Sequence, residues 1–195
     1  MTPAAHTKVT TRVLHRMTHA EFRVVDVEKR EVQLSWSSED AIIERYFGNE
    51  QLSHEPDAVD LTRLNLGAAF LLNHDTDQHI GAVRKAWIEN RRGLAVVKFG
   101  RSKLADEALN DVLDEIRTFT STGYWIHARI LLEEPEEGPP VYLVTKWEPL
   151  ELSLASIPAE ARCCSVRSLV SVRARSPLLS RQPGTRSNDG MPAGS

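Results

Sequence analysis

Three short polar segments interrupt apolar runs and carry the side chains best suited to chemistry. His74 in the first segment follows Asn73 and the apolar run 70–72, where a strand from the core reaches a polar loop. An imidazole titrates near neutral pH and can take a proton from a nucleophile. On its local sequence alone, a single histidine at such a place is more often structural than catalytic.

The second segment, residues 118–124, combines hydroxyl side chains with a glycine directly after a predicted helix. Ser121 there could act as a nucleophile, with open backbone N–H groups near it. Serine and threonine are also ordinary strand and turn residues, so the local sequence alone favours a structural role. The third segment, residues 147–154, is an apolar strand with two carboxylates, Glu148 and Glu151. A salt bridge to a surface arginine would explain either acid.

His74 also begins a cluster of possible metal ligands that continues with Asp75, Asp77 and His79. No second ligand cluster with a recognisable spacing occurs elsewhere in the sequence, so the metal signal is weak. A small metal-dependent hydrolase centred on His74 and His79 is therefore kept as an alternative hypothesis.

Strands dominate the elements that must position these side chains. Alternating polar and apolar residues, rich in valine, predict several strands, and residues 90–93, with a glycine, predict the turn of a hairpin. The predicted strand segments are 8–14, 21–36 with a turn at 28–31, 61–66, 68–73, 80–89, 94–99, 122–132 and 141–155.

One helix is predicted, over residues 102–117, because its apolar residues recur on a single face. Ser102 is a candidate N-cap, and Asp106 and Glu107 lie in the early turns, where acids favour the helix dipole. The fold class predicted by these patterns is mostly β (α+β), a compact β-barrel or curved sheet with one packed helix.

The composition excludes several classes of protein. Charged residues make up 26% and hydrophobic residues 41% of the 195, as in soluble globular proteins. The net charge of −3 argues against an obligate nucleic-acid-binding protein. No apolar stretch is long enough to span a membrane, and no secretory signal precedes the predicted strands. The two cysteines, Cys163 and Cys164, are neighbours and cannot form a disulfide framework, which favours a reducing, cytoplasmic setting.

The charge is unevenly distributed along the chain. Residues 163–195 contain five arginines and one acid, a charge of +4, which leaves −7 for residues 1–162. The same segment is rich in serine and has few apolar anchors. We therefore expect a folded domain over residues 1–162 and a basic Ser/Arg/Pro-rich tail over residues 163–195 that is mostly disordered.

Taken in order, the segments resemble the tailed-phage prohead (capsid maturation) proteases, a serine protease family related in fold to herpesvirus assemblin. The resemblance covers roughly residues 12–160, and each of its motifs is weak alone. The residues that carry it are Asp26–Ser35, Val59–Asn65, Leu71–Asp75, Ile80-Gly81, the predicted helix, Ser121–Tyr124, Trp147–Leu154 and Pro158-Ala159.

This resemblance implies a fold and a set of catalytic residues. The fold would be a β-barrel of the herpesvirus-protease type. His74 matches the family's catalytic histidine in its Asn-His-Asp motif, Ser121 matches its nucleophile, and Glu151 matches the acid of its Glu-x-Ser-Leu strand. The chain departs from the family at Thr120 and Thr122, where apolar residues are more common, and in the segment from Arg162 onward.

The resemblance also implies an activity. The protein would be a serine endopeptidase that cleaves the scaffolding segment of the major capsid protein, and itself, inside the assembling procapsid in the host cytoplasm. Its partners would be the major capsid protein and further copies of itself, with no cofactor, metal, specific nucleic acid or membrane. A non-catalytic capsid-assembly or scaffolding protein on the same fold is the alternative.

Alternation along the third segment favours Glu151 over Glu148 as the acid. In an extended strand, Leu150, Leu152 and Leu154 share one face and Glu151 lies on the other. The leucine face should be the core, and Glu148 has the parity of those leucines, although a bend at Pro149 could turn it away. We therefore expect Glu151 to orient His74.

Overall fold

The computed structural model describes residues 12–156 and consists of ten strands and two helices. The predicted mostly β fold is confirmed. The strands are β1 (Leu14–His19), β2 (Phe22–Asp26), β3 (Glu31–Ser38), β4 (Ile42–Arg45), β5 (Gly48–Leu52), β6 (Ala69–Leu72), β7 (Asp75–Glu89), β8 (Arg92–Phe99), β9 (Phe119–Glu133) and β10 (Val141–Ala155), and the helices are α1 (Thr62–Asn65) and α2 (Lys103–Leu113).

All ten strands belong to one sheet that curls into a half-barrel. Its strand order is β1-β9-β10-β6-β7-β8-β3-β2, with β5 also pairing with β10 and β4 with β5. The two ends of this path, β1 and β2, are joined by only two residues of chain, so the sheet must bend back on itself. The Thr120 hydroxyl of β9 donates a hydrogen bond to the carbonyl of Ser35 in β3 at 2.9 Å, which ties the two ends across the curl.

The concave side of the sheet holds the core. Trp36 of β3 and Trp147 of β10 meet edge to face with ring centroids 5.8 Å apart, and Phe70 of β6 meets Phe99 of β8 at 5.3 Å. Such edge-to-face pairs add to the free energy gained by burying the rings. Four strands far apart in sequence are therefore fixed by two aromatic contacts.

Helix α2 is the predicted helix, shorter at its C-terminal end. Ser102 is its N-cap, as predicted, and its hydroxyl accepts a hydrogen bond from the Ala105 N–H at 3.2 Å. Ala105, Ala108, Leu109 and Val112 are buried against the sheet. The helix stops at Leu113 rather than at residue 117, and Leu113 is exposed.

Several elements differ from the prediction. The first described strand, β1, spans Leu14–His19 and not residues 8–14. Residues 61–66 form the short helix α1 instead of a strand; Leu64 anchors it in the core, and the Asn65 side chain hydrogen-bonds both the N–H and the carbonyl of Ala86. Strands β4 and β5 were not predicted, because their sequences are polar and lack a clear alternation.

The turn between β7 and β8 was predicted to contain Gly93, which in fact lies inside β8. The turn consists of Asn90 and Arg91, both with positive φ, as a two-residue hairpin turn requires. A Cβ at residue 93 would lie 2.6 Å from the Trp36 indole. The glycine therefore makes room for a core aromatic ring.

The predicted division at residue 162 and the predicted disorder of residues 163–195 fall outside the described residues. Within residues 12–156, the longest helix is α2, and no helix is long and apolar enough to cross a membrane.

His54 makes stability depend on pH. Burial lowers the pKa of this imidazole to about 4 from its usual 6.5. One ring nitrogen faces the Leu52 carbonyl at 3.0 Å and the other the Ser37 hydroxyl at 2.9 Å, so the neutral ring is satisfied. As pH falls from 6.5 towards 4, the unfolded chain takes up a proton that the folded protein does not. The free energy of unfolding must fall across that window.

We expect the wild type to lose about 2.5 kcal/mol more stability than His54→Gln between about pH 7 and about pH 4.5, from the linkage of this single group. Denaturant unfolding of both proteins at the two pH values measures the difference. The contributions of the other ionisable groups cancel, because the two proteins share them. An equal gap at both pH values would contradict the expectation.

Candidate active site

Three neighbouring strands and one turn converge on the convex face of the sheet. In β9 and β10, Ser121 pairs with Ser153 and Gly123 with Glu151. In β1, His15 pairs with the same Gly123. Residues directly opposite each other in antiparallel strands project from the same face. The register alone therefore places Ser121, Ser153, Glu151 and His15 on one surface.

His74 reaches this surface from the two-residue turn between β6 and β7. Asn73 and His74 have φ values of 53° and 61°, the left-handed conformation of a tight hairpin turn. The Asn73 N–H donates to the Leu154 carbonyl at 2.8 Å, and its side chain bonds the N–H of Ser156 at 2.8 Å. The His74 N–H donates to the Ser153 hydroxyl at 3.1 Å. These contacts fasten the turn to the end of β10.

The imidazole of His74 lies between a hydroxyl and a carboxylate. Its Nδ1 is 2.6 Å from Glu151 Oε1, and its Nε2 is 2.7 Å from Ser121 Oγ. An ionised carboxylate can only accept, so Nδ1 carries the proton and Nε2 accepts from the serine. The structure thus brings together the three residues predicted from the sequence. This is the arrangement of nucleophile, base and orienting acid by which a serine hydroxyl is activated.

Glu151 is itself held by two further donors. The Gly123 N–H donates to Oε1 at 2.8 Å, and the Ser153 hydroxyl donates to Oε2 at 2.8 Å. A Cβ at residue 123 would lie 2.8 Å from Oε1. Gly123 therefore supplies both a hydrogen bond and the space for the carboxylate.

Thr120 and Thr122, the departures from the family pattern, point to the opposite side of β9 from Ser121. Both are buried, and their hydroxyls donate to backbone carbonyls, Thr120 to Ser35 and Thr122 to Glu151 at 2.9 Å. Because each buried hydroxyl has a hydrogen-bond partner, threonine can stand at these positions without leaving an unsatisfied polar group. Neither hydroxyl contacts His74.

Glu148 lies away from this site. It binds the Arg63 guanidinium at 2.8 Å and the His127 ring at 3.2 Å. A register shift between Pro149 and Glu151 breaks the alternation of β10, so Trp147 faces the core as Leu152 does. The expectation that Leu150 shares that core face is wrong, since it is only half-buried and lies outside the core cluster.

His15 is a neighbour of the site that the sequence did not indicate. Its ring centroid is 4.0 Å from that of His74, with the planes tilted by 55°. Partial burial lowers the pKa of His15, and the adjacent His74 lowers it further. His15 pairs with Gly123, which is more than a hundred residues away in sequence, so no local pattern could place it at the site. The sequence shows only that His15, Met17 and His19 occupy alternate positions, which in a strand share one face.

A buried polar cluster lies beneath β1 and fixes its position. Arg45 donates to the His15 carbonyl at 2.9 Å and to the Tyr124 hydroxyl at 2.7 Å, and the Tyr124 hydroxyl donates to Glu50. Burial, together with Glu50, raises the pKa of Tyr124 well above its usual value, so the hydroxyl stays a donor. Arg16 of β1 lies 3.7 Å from the same carboxylate.

The possible metal ligands share only His74 with the sequence-based alternative. In the described part of the chain, the side chains that could share an ion are His15, His74 and Glu151, with one ligand atom of each within 4.8 Å of the others. Asp77 and His79 are not in this group. Asp75, from the same alternative, uses its two oxygens within its own turn, accepting from Asp77 N–H and from Gln78.

Comparisons with known proteins give one informative similarity. Over 122 residues the chain is 38% identical to the major capsid protein of Halomonas phage phiHAP-1. The alignment covers 60% of this chain and 20% of that protein, so the chain spans about a fifth of the relative's length. No protein-family model and no solved structure matches the chain. The resemblance to the prohead proteases therefore stays a prediction.

Gly123→Ala should separate Glu151 from His74, because the new methyl group would lie only 2.8 Å from Oε1 and push the carboxylate aside. We expect the strongly downfield proton resonance of the His74 Nδ1–H, present in the wild type, to disappear or move upfield. One-dimensional proton NMR measures it. Gly100→Ala is the matched control, since its Cβ would meet its nearest neighbour at an ordinary 3.5 Å. An unchanged resonance in Gly123→Ala would show that the glycine is not required.

Proposed function

We propose that the protein is a serine endopeptidase that cleaves the scaffolding segment of a phage major capsid protein, and itself, during prohead maturation. It would act inside the assembling procapsid in the host cytoplasm. The observation that carries the proposal is the chain of two short hydrogen bonds from Ser121 through His74 to Glu151.

The geometry supports a two-step hydrolysis. Ser121 Oγ would attack the scissile carbonyl while its proton moves to Nε2 of His74, and His74 would then give that proton to the leaving amine. Water would enter by the same base and release the acyl group from Ser121. Glu151 would hold the ring in its tautomer and stabilise the imidazolium that forms at each step.

The capsid part of the proposal rests on the phage relative. The similarity to a phage major capsid protein supports a capsid-related role. In that relative, a segment similar to this chain is joined covalently to about four times its own length of further sequence. An endopeptidase confined with capsid subunits would meet its substrate at high local concentration.

A non-catalytic assembly or scaffolding role is the second candidate. It is favoured by the name of the relative, which is that of a capsid subunit and not of a peptidase. It is also favoured by the burial of Ser121, which is only 2% exposed. The two functions differ in whether the Ser121 hydroxyl reacts.

Ser121→Ala should abolish covalent labelling by a small fluorophosphonate, because the labelled atom is the activated hydroxyl. Mass spectrometry measures the adduct, and peptide mapping should place it on Ser121 rather than on Thr120 or Thr122. With the capsid substrate, we expect the cleavage rate to fall by at least about 10⁴-fold.

Ser102→Ala, a serine remote from His74, is the matched control and should be labelled like the wild type. If the protein cuts itself, the mass of the wild type should also be lower than that of Ser121→Ala by the mass of a lost peptide, whereas without cutting the two masses differ only by the oxygen atom of the substitution. A folded wild type that neither takes the probe nor cuts the capsid protein would favour the scaffolding role.

Glu151→Gln and Glu148→Gln form a matched pair in one strand. Glu151→Gln keeps the shape of the acid but removes the charge that stabilises the imidazolium, so the rate should fall roughly 10³- to 10⁴-fold. Glu148→Gln weakens a surface ion pair and should change the rate by less than about threefold. Single-turnover cleavage, or the rate of probe labelling, measures both. The reverse order of effects would mean that the acid is misassigned.

A further inference from the structure

His15 lies on the convex face beside Ser121, His74 and Glu151, and the proposed hydrolysis does not use it. Its ring lies against that of His74, and within residues 12–156 its ring nitrogens make no hydrogen bond. The strand position of His15 is nevertheless fixed, since Arg45 holds its carbonyl at 2.9 Å and it pairs with Gly123. An imidazole with unused nitrogens thus faces an imidazole and a carboxylate.

These three side chains are the ligand set that zinc prefers. Two imidazoles and one carboxylate, with a fourth position left to water, recur in protein zinc sites at metal–ligand distances of about 2.0–2.2 Å. The ligand atoms here lie within 4.8 Å of one another, and His15 is exposed, so an ion can reach it from solvent. Mg²⁺ and Ca²⁺, which prefer oxygen ligands, fit the set poorly.

Gly123 leaves two of the proposed ligands free to approach each other. It lies between His15 and Glu151 in the sheet register. A Cβ there would come within 3.5 Å of the His15 ring and 2.8 Å of Glu151 Oε1. Without that methyl group, the imidazole of β1 and the carboxylate of β10 face each other across one strand.

We propose that His15, His74 and Glu151 bind one Zn²⁺ ion, and that this ion holds the site in an inactive state. The regulatory part rests on the proposed function. Both nitrogens of His74 are engaged in the triad, Nδ1 by Glu151 and Nε2 by Ser121. Whichever nitrogen binds the ion, either the general base or its orienting contact is lost. Zinc binding and hydrolysis therefore exclude each other.

The binding test uses full-length Ser121→Ala, which keeps every proposed ligand but cannot cut itself. The protein carries no polyhistidine tag, and Cys163 and Cys164 are replaced by serine, because adjacent thiols bind zinc themselves. Calorimetric titration with Zn²⁺ should give one site per chain. Co²⁺ in place of Zn²⁺ should give the visible absorption of a four-coordinate ion.

Adding His15→Gln should weaken Zn²⁺ binding at least about tenfold. Even the loss of a residue that only hydrogen-bonds to a metal ligand lowers the affinity by about that factor, and His15 is proposed as a ligand itself. His19→Gln, on the same face of β1, is the matched control and should leave the affinity unchanged. No one-to-one binding in folded Ser121→Ala, or equal affinity with and without His15, would overturn the site.

The regulatory test measures fluorophosphonate labelling of Ser121 in protein that keeps the serine, with each variant referred to its own zinc-free rate. Zn²⁺ should suppress labelling, chelation should restore it, and His15→Gln should need at least about tenfold more Zn²⁺ for the same suppression. Labelling that persists at saturating Zn²⁺ would overturn the inhibition. If the protein is not a hydrolase, labelling fails without zinc as well, while Zn²⁺ still binds to Ser121→Ala; the two failures are therefore distinguishable.

Discussion

The pairing of β9 with β10 is the constraint on which the site depends. One register places Ser121 opposite Ser153 and Gly123 opposite Glu151, and all four project from the convex face. A slip of one residue between the two strands would place the hydroxyl and the carboxylate on opposite faces of the sheet, with one of them turned into the core. The register shift after Pro149 lets Trp147 and Leu152 both face the core while Glu151 faces outwards. The register shift in β10 is therefore what lets both aromatic and aliphatic core residues and the outward-facing Glu151 occur in one strand.

The inner face of β9 solves a second problem, that of burying polar residues beneath the site. Thr120 and Thr122 donate to backbone carbonyls of neighbouring strands, and Tyr124 donates to Glu50. An unpartnered hydroxyl in the core would cost about 1–3 kcal/mol, so these bonds are required once the side chains are polar. They also tie β9 to β3, β10 and β5, which resists the slip that would invert Ser121.

The sequence predicted those features of the fold that depend on interactions between residues close together in the chain. The capped face of α2, the alternation of the long strands and the outward direction of Glu151 all follow from side chains within a few residues of each other. The short helix at residues 62–65 did not follow, because Leu64 and Asn65 are held by the core and by β7. His15 was missed for a similar reason: its partner strand lies more than a hundred residues away. The convergence of Ser121, His74 and Glu151 was inferred through a family resemblance, since no local rule joins two strands and a turn that are far apart in sequence.

Ser153 couples the base to the acid. Its hydroxyl accepts from the His74 N–H and donates to Glu151, so one side chain fixes both the turn and the carboxylate. The turn needs such support, because each left-handed non-glycine residue costs about 1–2 kcal/mol and two occur in succession. Asn73 donates a hydrogen bond to the Leu154 carbonyl and accepts one from the Ser156 N–H, and these offset that cost at about 1 kcal/mol each. Because the same end of β10 holds the turn and carries Glu151, any movement there displaces base and acid together, and the three residues keep or lose their geometry as one unit.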